Sequence, residues 1–159
     1  MKKIILALIL FLLLIGCNST KTEIFAVYLA DTHQMIFSEE DITSYDATTN
    51  TFTFTEEGAK KMQSYQTSMY LDDGLYQKAF VAKLGDEKLY SGKFWSLASS
   101  LAVSDIIMSD VLMISPDYNI LTVTADGYPT FEFTSDSDNS EKINAPKLIE
   151  HFKKINKLK

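Results

Sequence analysis

The sequence predicts a single α+β domain with a mixed or antiparallel sheet and two main helices. Phenylalanine and threonine alternate strictly over residues 51–55, which is the period expected of a half-buried strand. Apolar side chains recur at helical spacing over residues 58–69 and over residues 148–155, in each case opposite a charged face. A strand signal combined with two helix signals in one short chain indicates the α+β class.

The first part of the domain is predicted to be a hairpin followed by a short helical turn. Residues 24–29 are apolar on both faces, as in an interior strand, and residues 35–37 are the expected hairpin partner. The sequence Ser-Glu-Glu-Asp at residues 38–41 matches a capping box, so one helical turn is expected there. Residues 42–45 are then predicted to extend again.

A helix and a second hairpin are expected after the alternating strand. Thr55 is the predicted N-cap of a helix that begins with Glu56 and Glu57, whose charges suit the positive end of the helix dipole. Residues 79–84 and 88–90 are predicted strands joined by a tight turn. The buried face of the helix is expected to comprise five residues, Gly58, Ala59, Met62, Tyr65 and Met69.

Residues 51–95 also resemble part of a known protein family. Residues 53–61 read Thr-Phe-Thr-Glu-Glu-Gly-Ala-Lys-Lys, and residues 78–91 form an apolar strand, a Gly-Asp-Glu turn and a second strand. This arrangement resembles the extracytoplasmic head region of the SecD protein-export subunit. The resemblance implies a non-catalytic module that contacts a polypeptide or the translocase. SecD carries several transmembrane helices, whereas no segment after Cys17 is suited to span a bilayer, so a translocation motor is excluded.

The rest of the chain is predicted to alternate short strands with loops before a last helix. Residues 96–103, which are rich in alanine and serine, predict a short helix, and residues 111–114 predict a buried strand. Strands are expected at residues 120–125 and 130–133, followed by a polar acidic loop at residues 135–141.

The last helix is predicted to begin at residues 144–146, which read Asn-Ala-Pro. Its apolar stripe comprises Leu148, Ile149, Phe152 and Ile155. The opposite face carries four lysines, Lys147, Lys153, Lys154 and Lys157. This lysine face is expected to be solvated, or alternatively to turn toward acidic lipid headgroups.

The N-terminal segment has the features of a lipoprotein signal peptide. Lys2 and Lys3 precede an apolar stretch at residues 4–14 that is too short to span a bilayer. The sequence Leu-Ile-Gly-Cys that ends at Cys17 resembles the lipobox of bacterial lipoproteins, in which the cysteine is acylated and becomes the new N-terminus. An ordinary secretory peptide and an uncleaved anchor are the alternatives.

The lipobox resemblance implies three parts: a signal peptide at residues 1–16, a lipid anchor with a short linker at residues 17–22, and one extracytoplasmic domain at residues 23–159. The linker reaches less than roughly 20 Å even when it is fully extended. The domain is therefore expected to sit against the outer face of the cell membrane, or at the outer membrane in a cell that has one. Acyl chains on Cys17 would be its link to membrane lipid.

Charge excludes one class of partner. Without Lys2 and Lys3 the 15 basic residues become 13, against 21 acidic residues, so the mature net charge is about −8. Every basic residue is lysine, and the bidentate arginine fork that commonly grips phosphates and bases is missing. A nucleic-acid partner is therefore excluded, whereas a membrane protein or a polypeptide is compatible with this composition.

No catalytic residue, cofactor site or metal site is predicted. Residues 136–140 begin like a calcium-binding loop, but Glu141 stands where the loop needs glycine and Lys147 where it needs a bidentate glutamate. His33 and His151 are expected to be surface residues rather than a metal pair. An acid pair would need two of five aspartates to converge, although turns and helix caps explain these residues more simply: Asp31, Asp41, Asp46, Asp72 and Asp73.

The aromatic residues around the second hairpin are the remaining candidates for function. Phe94 is expected in the core. Tyr90 and Trp95 are candidate partner-binding residues, with burial in the core as the alternative. The sequence thus favours a lipid-anchored, non-catalytic binding or interaction module at the membrane surface, and the resemblance to SecD implies a place near the protein-export machinery. The alternatives are a small-solute or ion-binding lipoprotein and a hydrolase that uses an acid pair.

Overall fold

The computed structural model describes residues 23–65, 74–109, 111–125, 127, 143 and 145–159. The predicted signal peptide, Cys17 and the linker lie outside these residues, as do the predicted strand at 130–133 and the acidic loop at 135–141. Within the described residues, no helix combines the length and the apolar character needed to cross a membrane.

Eight strands of the described chain form one sheet. Their bounds are β1 Phe25–Leu29, β2 Met35–Ser38, β3 Ile42–Asp46, β4 Thr51–Phe54, β5 Ala79–Leu84, β6 Glu87–Phe94, β7 Ile107–Ser109 and β8 Ile120–Thr124. They lie in the order β2-β1-β5-β6-β7-β8-β4-β3. All neighbours are antiparallel except β6 and β7, so the sheet is mixed. With helices α1 at Glu56–Ser64 and α2 at Ala145–Lys154, the predicted α+β class is confirmed.

The sheet curls until it nearly closes into a barrel. Phe25 on β1 and Phe52 on β4 belong to strands far apart in the sheet order, yet their ring centroids lie 5.4 Å apart. Phe37 on β2 contacts Phe54 at 5.2 Å between centroids in an edge-on arrangement. Ring contacts between strands that are not neighbours require the sheet to wrap around a common interior, which these buried aromatic side chains fill.

Local sequence signals set the first hairpin and its helical turn. β1 and β2 pair antiparallel as predicted. Ser38 caps the 3-10 turn Glu39–Asp41, and its backbone N–H donates to Asp41 Oδ2 at 2.9 Å, which completes the predicted capping box. β4 shows the alternation of buried phenylalanine and half-buried threonine that its sequence predicts. The N-cap at Thr55 is also confirmed, because its hydroxyl accepts from Gly58 N–H at 2.9 Å.

Helix α1 packs tightly on the 3-10 turn. A Cβ atom at Gly58 would lie only 2.3 Å from the carbonyl oxygen of Asp41, so this contact requires glycine. Lys61 donates to Asp41 Oδ2 at 2.8 Å and ties the two elements together. Ala59 and Met62 are fully buried, which confirms the described part of the predicted helix face; Met69 lies outside the described residues.

Two predicted elements are wrong. Residues 96–103 do not form a helix, because serine hydroxyls there accept backbone N–H groups at short range: Ser96 Oγ from Ala98 at 3.2 Å and Ser99 Oγ from Leu101 at 3.1 Å. Residues 111–114 form a turn, not a strand, although Val111 and Ile114 are both buried. The strand in this region is β7, which pairs with β6 and β8.

Helix α2 and the residues after it cover one end of the interior. Phe152 is fully buried, with its ring centroid 5.5 Å from Phe25 and 5.2 Å from Tyr45. The chain then runs along the edge of β3, where Tyr45 N–H donates to the Lys157 carbonyl at 2.7 Å. The predicted exposure of Lys157 is wrong: its ammonium donates to the carbonyls of Glu39 at 2.7 Å and Ile42 at 2.6 Å. These contacts bridge the seam between β2 and β3, the two ends of the sheet.

Candidate functional site

The two aromatic residues predicted to bind a partner do not form a surface. Tyr90 is 3% exposed, with its ring centroid 6.1 Å from that of Phe80. Trp95 is 4% exposed and lies 5.3 Å from the ring of Tyr76. Neighbouring rings cover both residues, so the structure places them in the buried arrangement that the sequence left open as the alternative to a partner-contacting patch. Phe94 is fully buried, as predicted.

Burial leaves polar atoms of these two residues without hydrogen bonds. Within the described part of the chain, neither the Tyr90 hydroxyl nor Trp95 Nε1 has a partner. Burial raises the pKa of Tyr90 well above its ordinary value, and the nearby Tyr45 phenol raises it further. Tyr45 differs because its hydroxyl lies 2.9 Å from Asn50 Oδ1 and donates to it. Burial, followed by the charge of Asp46, raises the pKa of Tyr45 to about 12.

The two histidines occupy different environments. His33 lies in an exposed turn with φ of 57°, as expected of a surface residue. His151 contradicts the same expectation: it is 6% exposed, and its Nε2 lies 2.5 Å from Glu39 Oε2. The same carboxylate oxygen accepts from Phe25 N–H at 2.7 Å. One glutamate therefore joins the start of β1 to α2.

A charged cleft opens beside His151, between α2 and the turn that joins β5 and β6. Its volume is about 280 Å³. Leu84 contributes apolar surface to the wall of the cleft. Lys147 on α2 forms an ion pair with Glu87 on β6 across it. We call this space the charged cleft and define it by its six charged or titratable lining residues: Glu23, Glu87, Lys147, Glu150, His151 and Lys154.

A second hollow adjoins the charged cleft. It has a volume of about 420 Å³ and shares Glu23, Leu84 and Glu87 with the first. Ile24, which is 44% exposed, and Tyr28 add apolar surface to it. The two spaces together give a charged recess with an apolar extension next to Glu23, the first described residue of the chain.

The acid pair that was the alternative to turn and cap roles is not assembled by the aspartates that the structure describes. Asp31 accepts from Thr32 N–H in a turn, and Asp46 accepts from Thr48 N–H in another. Asp41 serves the capping box and pairs with Lys61. Asp72 and Asp73 lie outside the described residues. Across the described ranges, no group of three or more His, Cys, Asp or Glu side chains is arranged to hold a metal ion.

The pairing of Glu39 with His151 was missed because 112 residues separate them in sequence. One signal for it was available. His151 lies three residues after Leu148 and four before Ile155, so it falls on the apolar stripe of α2 rather than on the lysine face. A titratable residue on a buried stripe needs a polar partner, although the sequence does not show which one.

Comparison with other proteins gives no relative. The chain matches no known family model, and no curated protein and no solved structure is significantly similar to it.

Proposed function

We propose that this chain is a lipid-anchored extracytoplasmic protein that acts as a non-catalytic binding module at the membrane surface. The observation that carries the proposal is the position of the charged cleft beside Glu23. Cys17 precedes Glu23 by six residues, so an acylated Cys17 would hold the cleft within roughly 20 Å of the membrane. The cleft would then face headgroups and the outer parts of membrane proteins.

The lipobox resemblance supports the anchor, and the resemblance of residues 51–95 to SecD supports a partner at the export machinery. These residues contribute β4, α1, β5 and β6, in the strand, helix, strand, strand order that their sequence predicts. The partner we propose is a membrane protein or an emerging polypeptide. A small-solute-binding lipoprotein is the second candidate, and the charged cleft is the observation that favours it.

Two measurements on intact cells test this proposal. Mass spectrometry of the mature N-terminal peptide is expected to show acylated Cys17, and a Cys17→Ser variant is expected to leave the membrane fraction. A photo-crosslinking residue at position 154, on the cleft rim, is expected to capture a membrane protein or a polypeptide that the same residue at position 60, on α1, does not capture. An unmodified Cys17 would overturn the anchor, and equal capture at both positions would overturn the cleft as the contact surface.

A further inference from the structure

The charged cleft contains side chains that the fold does not use. Lys147 is paired with Glu87, and His151 is bonded to Glu39. The carboxylates of Glu23 and Glu150 and the ammonium of Lys154 line the same space, and within the described residues they form no ion pair and no side-chain hydrogen bond. Two acceptor groups and one cationic group are therefore available to a ligand.

The histidine supplies another acceptor. Glu39 Oε2 lies 2.5 Å from His151 Nε2 and already accepts from Phe25 N–H, so the geometry assigns the proton of this contact to Nε2. In a neutral imidazole the other nitrogen, Nδ1, is then an acceptor. Among the described residues Nδ1 has no hydrogen-bond donor, and its ring lines the charged cleft. The bond to Glu39 thus fixes the orientation of the ring, and the acceptor character of Nδ1 belongs to the neutral imidazole alone.

This set of groups matches a primary ammonium. Such a group carries three N–H donors, and the cleft offers two carboxylates and an imidazole nitrogen to receive them. Lys154 lies one helical turn from Glu150 on α2, so it presents a positive charge to an anionic group of the same ligand. Lysine serves as a point-charge partner of phosphate.

We infer that the charged cleft binds a zwitterion that joins a primary ammonium to a phosphate, with the ammonium at Glu23, Glu150 and His151 and the phosphate at Lys154. Two sources share this chemistry: the headgroup of an ethanolamine phospholipid and a soluble phosphoethanolamine-type compound. The adjoining hollow with Ile24 and Tyr28 shares Glu23 with the cleft, so its apolar surface lies at the ammonium end and does not by itself favour the lipid. The lipid source rests on the proposed function, whereas the recognition chemistry of the cleft does not.

The test is a titration of the full chain, carrying Cys17→Ser so that lipidation plays no part, with phosphoethanolamine and separately with phosphocholine. Phosphocholine has the same charges but a quaternary ammonium without N–H donors. We expect phosphoethanolamine to bind at least tenfold more tightly than phosphocholine, with backbone NMR shift changes centred on α2 and the β5–β6 turn. Glu150→Gln is expected to weaken binding about tenfold, since hydrogen bonds to charged groups contribute on that scale.

Matched variants separate the cleft from general charge effects. Glu57→Gln removes the same charge from the exposed face of α1 and is expected to leave the affinity unchanged. Lys154→Met is expected to weaken binding of phosphoethanolamine, whereas Lys153→Met, at the neighbouring exposed position outside the cleft, is not. No binding of phosphoethanolamine at about 10 mM, equal binding of phosphocholine, or equal losses in the cleft and control variants would each overturn the inference.

Competition with phospholipid vesicles then distinguishes a lipid headgroup from a soluble compound as the ligand. Competition of bound phosphoethanolamine by vesicles rich in ethanolamine phospholipid, but not by pure choline phospholipid vesicles, would establish the headgroup as the ligand. Binding of free phosphoethanolamine without competition by either vesicle would support the same chemistry with a soluble source. Because the titrated variant has no acylated cysteine, loss of the proposed anchor leaves these results unaffected, and the two proposals fail independently.

Discussion

The two faces of α2 meet opposite surroundings. On one face Phe152 is fully buried among Phe25, Tyr45 and Phe52, at centroid distances of 5.2 to 5.9 Å. On the other face Glu150 and Lys154 are exposed and line the charged cleft. The interior face is expected to provide most of the stability of this helix, because apolar burial outweighs what exposed charges contribute. The fold therefore does not depend on Glu150 and Lys154, which leaves these two cleft side chains available for binding.

The largest loss of stability is expected from a substitution on the interior face of α2. Phe152→Ala should lower the free energy of unfolding by about 3 to 5 kcal/mol, because it removes a fully buried ring and leaves a cavity. Lys154→Ala, on the cleft face of the same helix, should change it by less than about 0.5 kcal/mol. Urea denaturation of the two variants measures the difference. Comparable losses would show that the cleft charges also hold α2 in place.

Loss of the contact between Glu39 and His151, which lies between the two faces of α2, is expected to have the next largest effect on stability. Glu39→Ala removes the acceptor of both the Phe25 N–H and His151, so it should cost about 1 to 3 kcal/mol. Glu40 is the next residue of the same 3-10 turn and its side chain is exposed, so Glu40→Ala is the matched control and should stay within about 0.5 kcal/mol. Equal thermal stability of the two variants would contradict a stabilising role for this contact.

Alkaline pH should weaken the interior around Tyr45. The pKa of Tyr45 is about 12 in the folded chain against an ordinary 10.0, so the folded state favours the neutral phenol. Its contribution to stability is complete below pH 10 and is lost as pH rises toward 12, by about 1.4 kcal/mol per pH unit. The raised pKa of Tyr90 acts in the same direction. Urea denaturation between pH 9 and 12 measures the loss, which should be less steep in Tyr45→Phe.

The smallest expected changes in stability come from removing the two tyrosine hydroxyls, and they have opposite signs. Tyr90→Phe removes a buried hydroxyl that has no partner among the described residues, so it should stabilise the chain by about 1 kcal/mol. Tyr45→Phe removes the bond to Asn50 and should destabilise it by about 1 kcal/mol. Thermal melting at neutral pH compares the pair. A loss of stability in Tyr90→Phe would mean that its hydroxyl is satisfied after all.

Short-range signals were sufficient for the elements whose hydrogen bonds lie within a few residues. The capping box at Ser38, the N-cap at Thr55 and the alternation in β4 all appear as predicted. The helix prediction for residues 96–103 was wrong because composition alone does not show whether a serine hydroxyl faces solvent or accepts a backbone N–H. The charged cleft was not predicted, because Glu23, the β5–β6 turn and α2 meet only when the sheet is folded.

Within the described part of this protein, the sequence by itself determined the alternation of β4, the apolar faces of the two helices and the caps at Ser38 and Thr55, since neighbouring residues supply these interactions directly. The tertiary structure decided the order of the strands, the burial of Tyr90 and Trp95, and the contact between Glu39 and His151. Those features depend on which apolar surfaces meet across the whole chain, and that choice minimises the free energy of the complete fold rather than of any one segment.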